Sequence, residues 1–192
     1  MEQHLNTYID KADFGLFREY CMKYGTLKEY AKKEYLLHKG DKANWLGYIQ
    51  EGYIRYTCTD YKGNVHIVGY SFGEDFAVDY PSFLKQSKAN FDIQVMEKSR
   101  MYVITFEQFN AFFDYNFENQ RFGRRANEEL FITMSDRLLD FYLYSPEERY
   151  VRFMKKYPFL KDKLPMKEIA SFIGISGEAL SRIRKRLLSK NE

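Results

Sequence analysis

The sequence predicts an α+β chain: an N-terminal jelly-roll or β-roll, one long helix, and a C-terminal helix-turn-helix with a truncated or absent wing. Three patterns carry that expectation. Across residues 26–105 the apolar period is two, in short runs separated by glycine-bearing turns, as in antiparallel rolls. Across residues 117–144 apolar residues recur every three or four positions, the period of a helix. Across residues 165–188 two short helical patterns flank a turn at Gly174-Ile175-Ser176.

The elements follow in order. Asp13 caps a first helix whose stripe is Phe14, Phe17, Cys21 and Tyr24, and Gly25 ends it. Residues 26–38 then read as one extended segment, closed by Lys39-Gly40-Asp41. Strands are expected over 45–50, 53–61 and 65–72, with turns at Glu51-Gly52, Lys62-Gly63-Asn64 and Gly73-Glu74-Asp75. Two more, over 90–96 and 101–105, meet at the Lys98-Ser99-Arg100 corner. Thr105 opens a helix with Gln108 as its capping-box partner, and Phe106, Phe109 and Phe113 form its apolar side. Asp114 to Asn116 breaks it.

The long stripe that follows is narrow: Phe122, Ala126, Leu130, Met134, Leu138 and Phe141. Twenty-eight helical residues span about 42 Å. Such a helix could lie across its own β-domain. The preferred reading is a seam with a second copy of the chain, giving a two-fold homodimer. Ser145-Pro146-Glu147-Glu148 then restarts a helix, with serine as cap, proline at the first position and Glu148 completing a capping box; Pro158 stops it. Residues 144–146 are therefore read as a hinge. The expected organisation is 1–115 as an effector-type β-roll, 116–145 as the dimerisation helix and 146–192 as the helix-turn-helix domain.

In that last segment Pro165 suits a first helical position, and Ile169, Phe172 and Ile173 form one apolar face. Gly174 supplies a left-handed residue at the helix end, and Ser176 caps the next helix. There Leu180, Ile183 and Leu187 form the buried stripe, leaving Gly177, Glu178, Ser181, Arg182 and Lys185 outside. Charge supports a duplex-DNA partner. From residue 147 to 192 twelve Lys/Arg stand against six Asp/Glu, a net of +6; residues 1–146 carry eighteen against twenty-one, a net of −3. A basic segment on a mildly acidic remainder is the footprint of a phosphate-binding module.

Composition bounds the rest. Hydrophobic residues at 45% and charged residues at 30% indicate a globular, cytoplasmic protein. There is no apolar run of the roughly 18 residues that a membrane span needs, and no signal-peptide pattern at the start. Cys21 and Cys58 could pair, but free thiols are the preferred reading. No cysteine cluster is present to hold iron–sulfur, and His4, His38 and His66 are scattered singly, so no metal is expected. The absence of an HxH pair also argues against a jelly-roll metal enzyme.

The order of elements resembles the Crp/Fnr family of bacterial transcription regulators. The segments that carry the resemblance are LLHKGDKANWLGYIQEGYIRY (residues 36–56), GYSFGEDFAVDY (69–80) and EIASFIGISGEALSRIRKRL (168–187). It implies a homodimer that binds a roughly palindromic operator under control of a small effector, with RNA polymerase among the partners. It also implies an effector pocket, which would involve Asp75, Phe76, Asp79, Lys88 and Asn90. The family's cyclic-nucleotide pattern is altered here. Asp75-Phe76 keeps its start, but Val78 stands at the glycine position, Asp79 at the glutamate position and Lys88 at or near the arginine position. Lysine lacks the bidentate fork that arginine offers phosphate. The expected effector is therefore not cyclic AMP, and its identity stays open.

In the family's reading helix a Ser-Arg-Glu-x-x-x-Arg pattern meets bases. Here Ser176, Glu178 and Arg182 match, and Gly177 stands at the first arginine position. The resemblance implies that Arg182 reads guanine and Glu178 accepts from a cytosine amine. Ser181 would reach a base or a phosphate. Arg184, Lys185 and Arg186 would meet phosphates, or form a solvated helix end. The competing functional reading is a β-roll ligand-sensing or interaction module whose helical end docks a protein.

Overall fold

Alternating apolar residues and positive-φ turns build two four-stranded antiparallel sheets in the computed structural model, which describes residues 4–189. Two compact units result, one over His4–Phe131 and one beginning at Ile132.

The first unit opens with α1 (Tyr8–Lys11) and α2 (Gly15–Tyr24), followed by β1 (Thr26–Tyr30), β2 (Tyr35–Leu37), β3 (Trp45–Glu51), β4 (Tyr53–Thr59), β5 (Val65–Phe72) and β6 (Phe76–Ala77). The short α3 (Tyr80–Leu84) precedes β7 (Asp92–Val95) and β8 (Ser99–Thr105), then α4 (Phe106–Asp114). One sheet has the order β1-β8-β3-β6 and the other β2-β7-β4-β5. Successive side chains of a strand face opposite ways, and β3 serves two cores accordingly. Ile49 joins Leu37, Ile54, Ile93, Val95 and Met101 between the sheets. Leu46 and Tyr48 join Phe17, Cys21, Phe109 and Phe112 beneath α2 and α4. Gly52, at φ +93°, turns β3 into β4 against Ser99 and the Lys98 carbonyl.

Residues 26–38 are two strands in different sheets and not one extended segment: β1 pairs with β8 and β2 with β7. Lys33 adopts φ +74°, and the Glu34 carboxylate accepts from the Ala31 amide at 2.8 Å, which turns the chain between them. Asp13 does not cap through the residue expected. Its carboxylate accepts from the Gly15 amide at 2.9 Å, and Phe14 occupies the N-cap. The Thr105–Gln108 capping box is present.

Helix α5 (Phe117–Leu143) runs for 27 residues and begins beneath the roll. Its early apolar residues correct the expected dimer seam. Phe122 and Ala126 pack on the β-roll core, the Phe122 ring 5.1 Å from Phe14. Both are half-buried against their own chain, where Phe14, Phe17 and Phe113 meet the Phe122 ring.

The second unit continues with α6 (Pro146–Lys156), α7 (Leu160–Lys163), α8 (Met166–Phe172) and α9 (Gly177–Leu188). The Ser145–Glu148 capping box is present at the start of α6. Phe153, Tyr157, Leu160, Leu164, Ile169, Ile173, Leu180 and Ile183 are its buried core. Pro165 is the N-cap of α8 and not its first helical residue; its carbonyl accepts from the Glu168 amide at 2.8 Å. The turn after α8 closes as a Schellman motif. The Gly174 amide donates to Ser171 at 3.1 Å and the Ile175 amide to Ala170 at 2.9 Å, with Gly174 at φ +69°.

Candidate nucleic-acid interface

Helix α9 is set by a local signal at each end of the preceding turn. The left-handed Gly174 closes α8, and two residues later the Ser176 hydroxyl accepts from the Ala179 amide at 3.1 Å. Leu180 and Ile183 are buried. Gly177, Glu178, Ser181, Arg182, Arg184, Lys185 and Arg186 are all exposed. The helix thus presents one polar, mainly cationic face and keeps the other in the core.

The Glu178 carboxyl is held below the usual carboxylate range by its own backbone amide, the Ser176 hydroxyl and the nearby Arg182. It is therefore ionised at neutral pH and suited to accept a hydrogen bond. Arg186 is not free in this unit. Its guanidinium pairs with Glu147 at the start of α6. A cleft of about 540 Å³ lies beside that pair, lined by Glu147, Ala179, Arg182, Ile183 and Arg186 among others. Gly177 leaves open space where a side chain would stand.

One residue outside the sequence expectations organises the turn. Arg149, on α6, donates to the carbonyls of Tyr144 at 2.9 Å, Ile173 at 3.0 Å and Gly174 at 3.3 Å. These lie at helix ends, where carbonyls lack intrahelical donors. Its guanidinium also lies 5.4 Å from the Phe141 ring centroid. Phe141, expected on the dimer seam, is therefore engaged within its own unit; an added Cβ at Gly174 would come within 2.5 Å of that ring. Nothing in the sequence pattern separates Arg149 from the other cations of α6.

The expected effector residues in the roll are mostly committed to internal bonds. Asp75 is buried; it accepts from the Asn6 side chain at 2.5 Å, the Tyr8 hydroxyl at 3.0 Å and the Phe76 amide at 2.6 Å. Burial nevertheless raises its pKa above the usual aspartate value, against those donors. Phe76 lies in the core, ringed by Phe14, Phe17 and Tyr48. Both are taken up inside the roll, Asp75 by donors of its own chain and Phe76 by aromatic rings. Asp79 caps α3, accepting from the Ser82 amide at 3.3 Å, and also accepts from the Asn90 amide at 2.7 Å. The Asn90 side chain donates to the Ser82 hydroxyl at 2.7 Å. Lys88 is exposed and bridges to Lys42 through the backbone. The Asp79 carboxylate thus takes the Ser82 and Asn90 amides.

Each histidine sits beside one aspartate: His4 with Asp10, His38 with Asp92 and His66 with Asp60. Among the described residues no three His, Cys, Asp or Glu side chains converge as a metal site, and no helix is long and apolar enough to cross a membrane. Cys21 and Cys58 are unpaired, and burial pushes the Cys21 thiol up to about 12.

Comparison with known proteins places this geometry. Residues 27–116 match the family model of the cyclic nucleotide-binding domain. The chain thus carries that type of β-roll, followed by a long helix and a helix-turn-helix. Its fold is that of the Crp/Fnr-family regulators. The c-di-GMP responsive global regulator CLP of Xanthomonas campestris is similar, with TM-score 0.64, 17% identity, and 90% of this chain and 91% of CLP covered. FixK2 of Bradyrhizobium japonicum gives 0.69 at 14% identity, covering 87% and 86%. A CooA mutant of Carboxydothermus hydrogenoformans gives 0.72 at 12% identity, covering 99% and 86%. No curated protein sequence matches the chain.

Proposed function

We propose that this chain is a DNA-binding transcription regulator of Crp/Fnr type and not an enzyme. It acts in the cytoplasm as a homodimer on a roughly palindromic operator. The observation that carries the proposal is the exposed face of α9, held by a fully capped turn and bearing Glu178, Ser181, Arg182, Arg184 and Lys185. Arg182 reads guanine through O6 and N7, Glu178 accepts from a cytosine amine, and Arg184 and Lys185 meet phosphates. Solved structures of regulators with this fold support the reading.

The dimer is formed by the later part of α5. Phe131, Met134, Leu138 and Tyr142 recur on one side of that helix at 73%, 41%, 59% and 79% exposure, a large apolar stripe for a helix in water. Leu130 joins them half-buried. The division of labour follows: residues 1–115 form the effector domain, 116–145 the dimerisation helix and 146–192 the DNA-reading domain. The effector is a small molecule other than cyclic AMP, since Asp79 places negative charge at the amides of α3. RNA polymerase is the partner through which the bound dimer acts on transcription.

A gel shift with duplex DNA tests the proposal. Binding should weaken with salt at a log–log slope of about −5 to −9, as a few phosphates per protomer require. Retention that ignores salt, or no retention of any duplex, would remove the reading and favour a protein partner for the helical end.

A further inference from the structure

The pair between Glu147 and Arg186 stands at odds with the rest of the basic face. Arg182, Arg184 and Lys185 are exposed on α9, yet Arg186, one turn beyond Arg182, is held by a carboxylate from the first turn of α6. The Arg186 side chain is 55% exposed and that of Glu147 26% exposed, so the pair lies at the surface. Arg182 and Arg186 both line the cleft beside it. The cleft therefore holds two guanidinium groups and two carboxylates of the chain itself; Glu148 is taken up by Ser145, and Glu147 meets Arg186.

We propose that Glu147 is a built-in competitor for a DNA phosphate diester, occupying at Arg186 the place the phosphate would take. The inference rests on the DNA-binding reading above and adds a device that lowers sequence-independent affinity. A phosphodiester and a carboxylate each offer a guanidinium two acceptor oxygens. Charge that Glu147 neutralises on Arg186 is not available to a phosphate. While Glu147 holds it, the pair is neutral and releases no counterion from DNA. An exposed pair is weakly held, so a well-placed phosphate displaces Glu147 at an operator, whereas loosely seated DNA does not. Base contacts by Arg182 and Glu178 then account for a larger share of total affinity. Regulators must reject an excess of non-specific sites, and this arrangement weakens that background.

The test uses the full chain and three variants, Glu147→Gln, Arg186→Gln and the double variant, on random-sequence duplex at several salt concentrations. Glu147→Gln should tighten random-duplex binding about three- to tenfold near 0.1 M salt and steepen the log–log slope by about 0.9 for each added phosphate contact. Arg186→Gln alone should not tighten random-duplex binding, because it removes the phosphate seat and leaves the Glu147 carboxylate unpaired. The double variant should lose the gain of Glu147→Gln. A gain that survives in the double variant would overturn the proposal, since it would come from removing a negative charge and not from releasing Arg186. So would unchanged binding by a Glu147→Gln chain whose helical circular dichroism matches wild type. Elution from heparin separates this from the parent reading. If wild type binds no duplex, the DNA reading fails, while later elution of Glu147→Gln that Arg186→Gln abolishes would still show a contested anion seat. Equal elution would remove that seat as well.

Discussion

Arg149→Met isolates the contact that fixes the turn before α9. Methionine keeps the aliphatic stem and removes the guanidinium. That group donates to Tyr144, Ile173 and Gly174 at 2.9, 3.0 and 3.3 Å and lies 5.4 Å from the Phe141 ring. One charged hydrogen bond contributes about 1.5–3 kcal/mol, and an exposed cation–π contact about 0.5–1 kcal/mol. The terms do not add in full, because water reaches the freed carbonyls at these helix ends. The expected loss is about 2–3 kcal/mol for the second unit. With a urea dependence of about 1 kcal/mol/M for a unit this small, the midpoint of its helical transition should fall by about 2–3 M. Two probes separate the units. Circular dichroism follows the helices, whereas the single tryptophan, Trp45 on β3, reports the roll. Only the helical transition should move, and DNA affinity should fall with it. A shift below about 0.5 M, or an equal shift at Trp45, would refute the assignment of Arg149 as the latch of this turn.

Gly52→Ala should destabilise the roll by about 3–4 kcal/mol, combining a positive-φ penalty with overpacking. Its Cβ would stand 2.9 Å from the Lys98 carbonyl oxygen and strike Ser99; an unmoved Trp45 unfolding curve would contradict this. Arg182→Ala should cost about 1–3 kcal/mol at one base position and relax preference there. Equal losses on operator and random duplex, measured by competition gel shift, would assign it to phosphate contact only. Asp75 should respond to acid with the sign opposite to Glu148 and Glu178, and also opposite to Asp60 and Glu107 in its own unit, whose carboxyls are lowered by their hydrogen bonds. The Glu148 and Glu178 carboxyls are lowered, so what they contribute is present above 4.5 and lost as pH falls through their folded values. Asp75 is raised by burial, so its ionisation penalises the roll as pH rises above 3.8, and moderate acid relieves that penalty. The Trp45 urea midpoint of wild type should fall relative to that of Asp75→Asn as pH rises from 3 to 7, and a constant difference would contradict this.

The parts of this fold that were legible in the sequence are the ones written in a few adjacent residues. Gly174 and Ser176 mark the turn because one backbone conformation and one capped amide require them. Thr105 with Gln108 and Ser145 with Glu148 are legible for the same reason. A helical stripe, by contrast, shows which face is apolar and not what covers it. Phe122 and Ala126 carry the same period as Met134 and Leu138, yet the first pair packs on the core of its own unit and the second pair is exposed. The role of Asp75 depends on Asn6 and Tyr8, 69 and 67 residues away, and no local pattern announces those bonds. Asp79 matched a ligand position by spacing, but its own fold supplies its donors. Arg149 reaches 24 residues ahead to Ile173, so it read as one more cation on a basic helix.

Selection of bound sites from random duplex DNA addresses the central claim most directly. If two copies of α9 are presented by a dimer, the recovered sequences should contain two inverted half-sites, with centres about 10–10.5 base pairs apart or a multiple of that. A guanine in each half should lose its enrichment when Arg182 is replaced. Recovery of unenriched sequence, or of a single unpaired motif that Arg182→Ala leaves intact, would contradict the account.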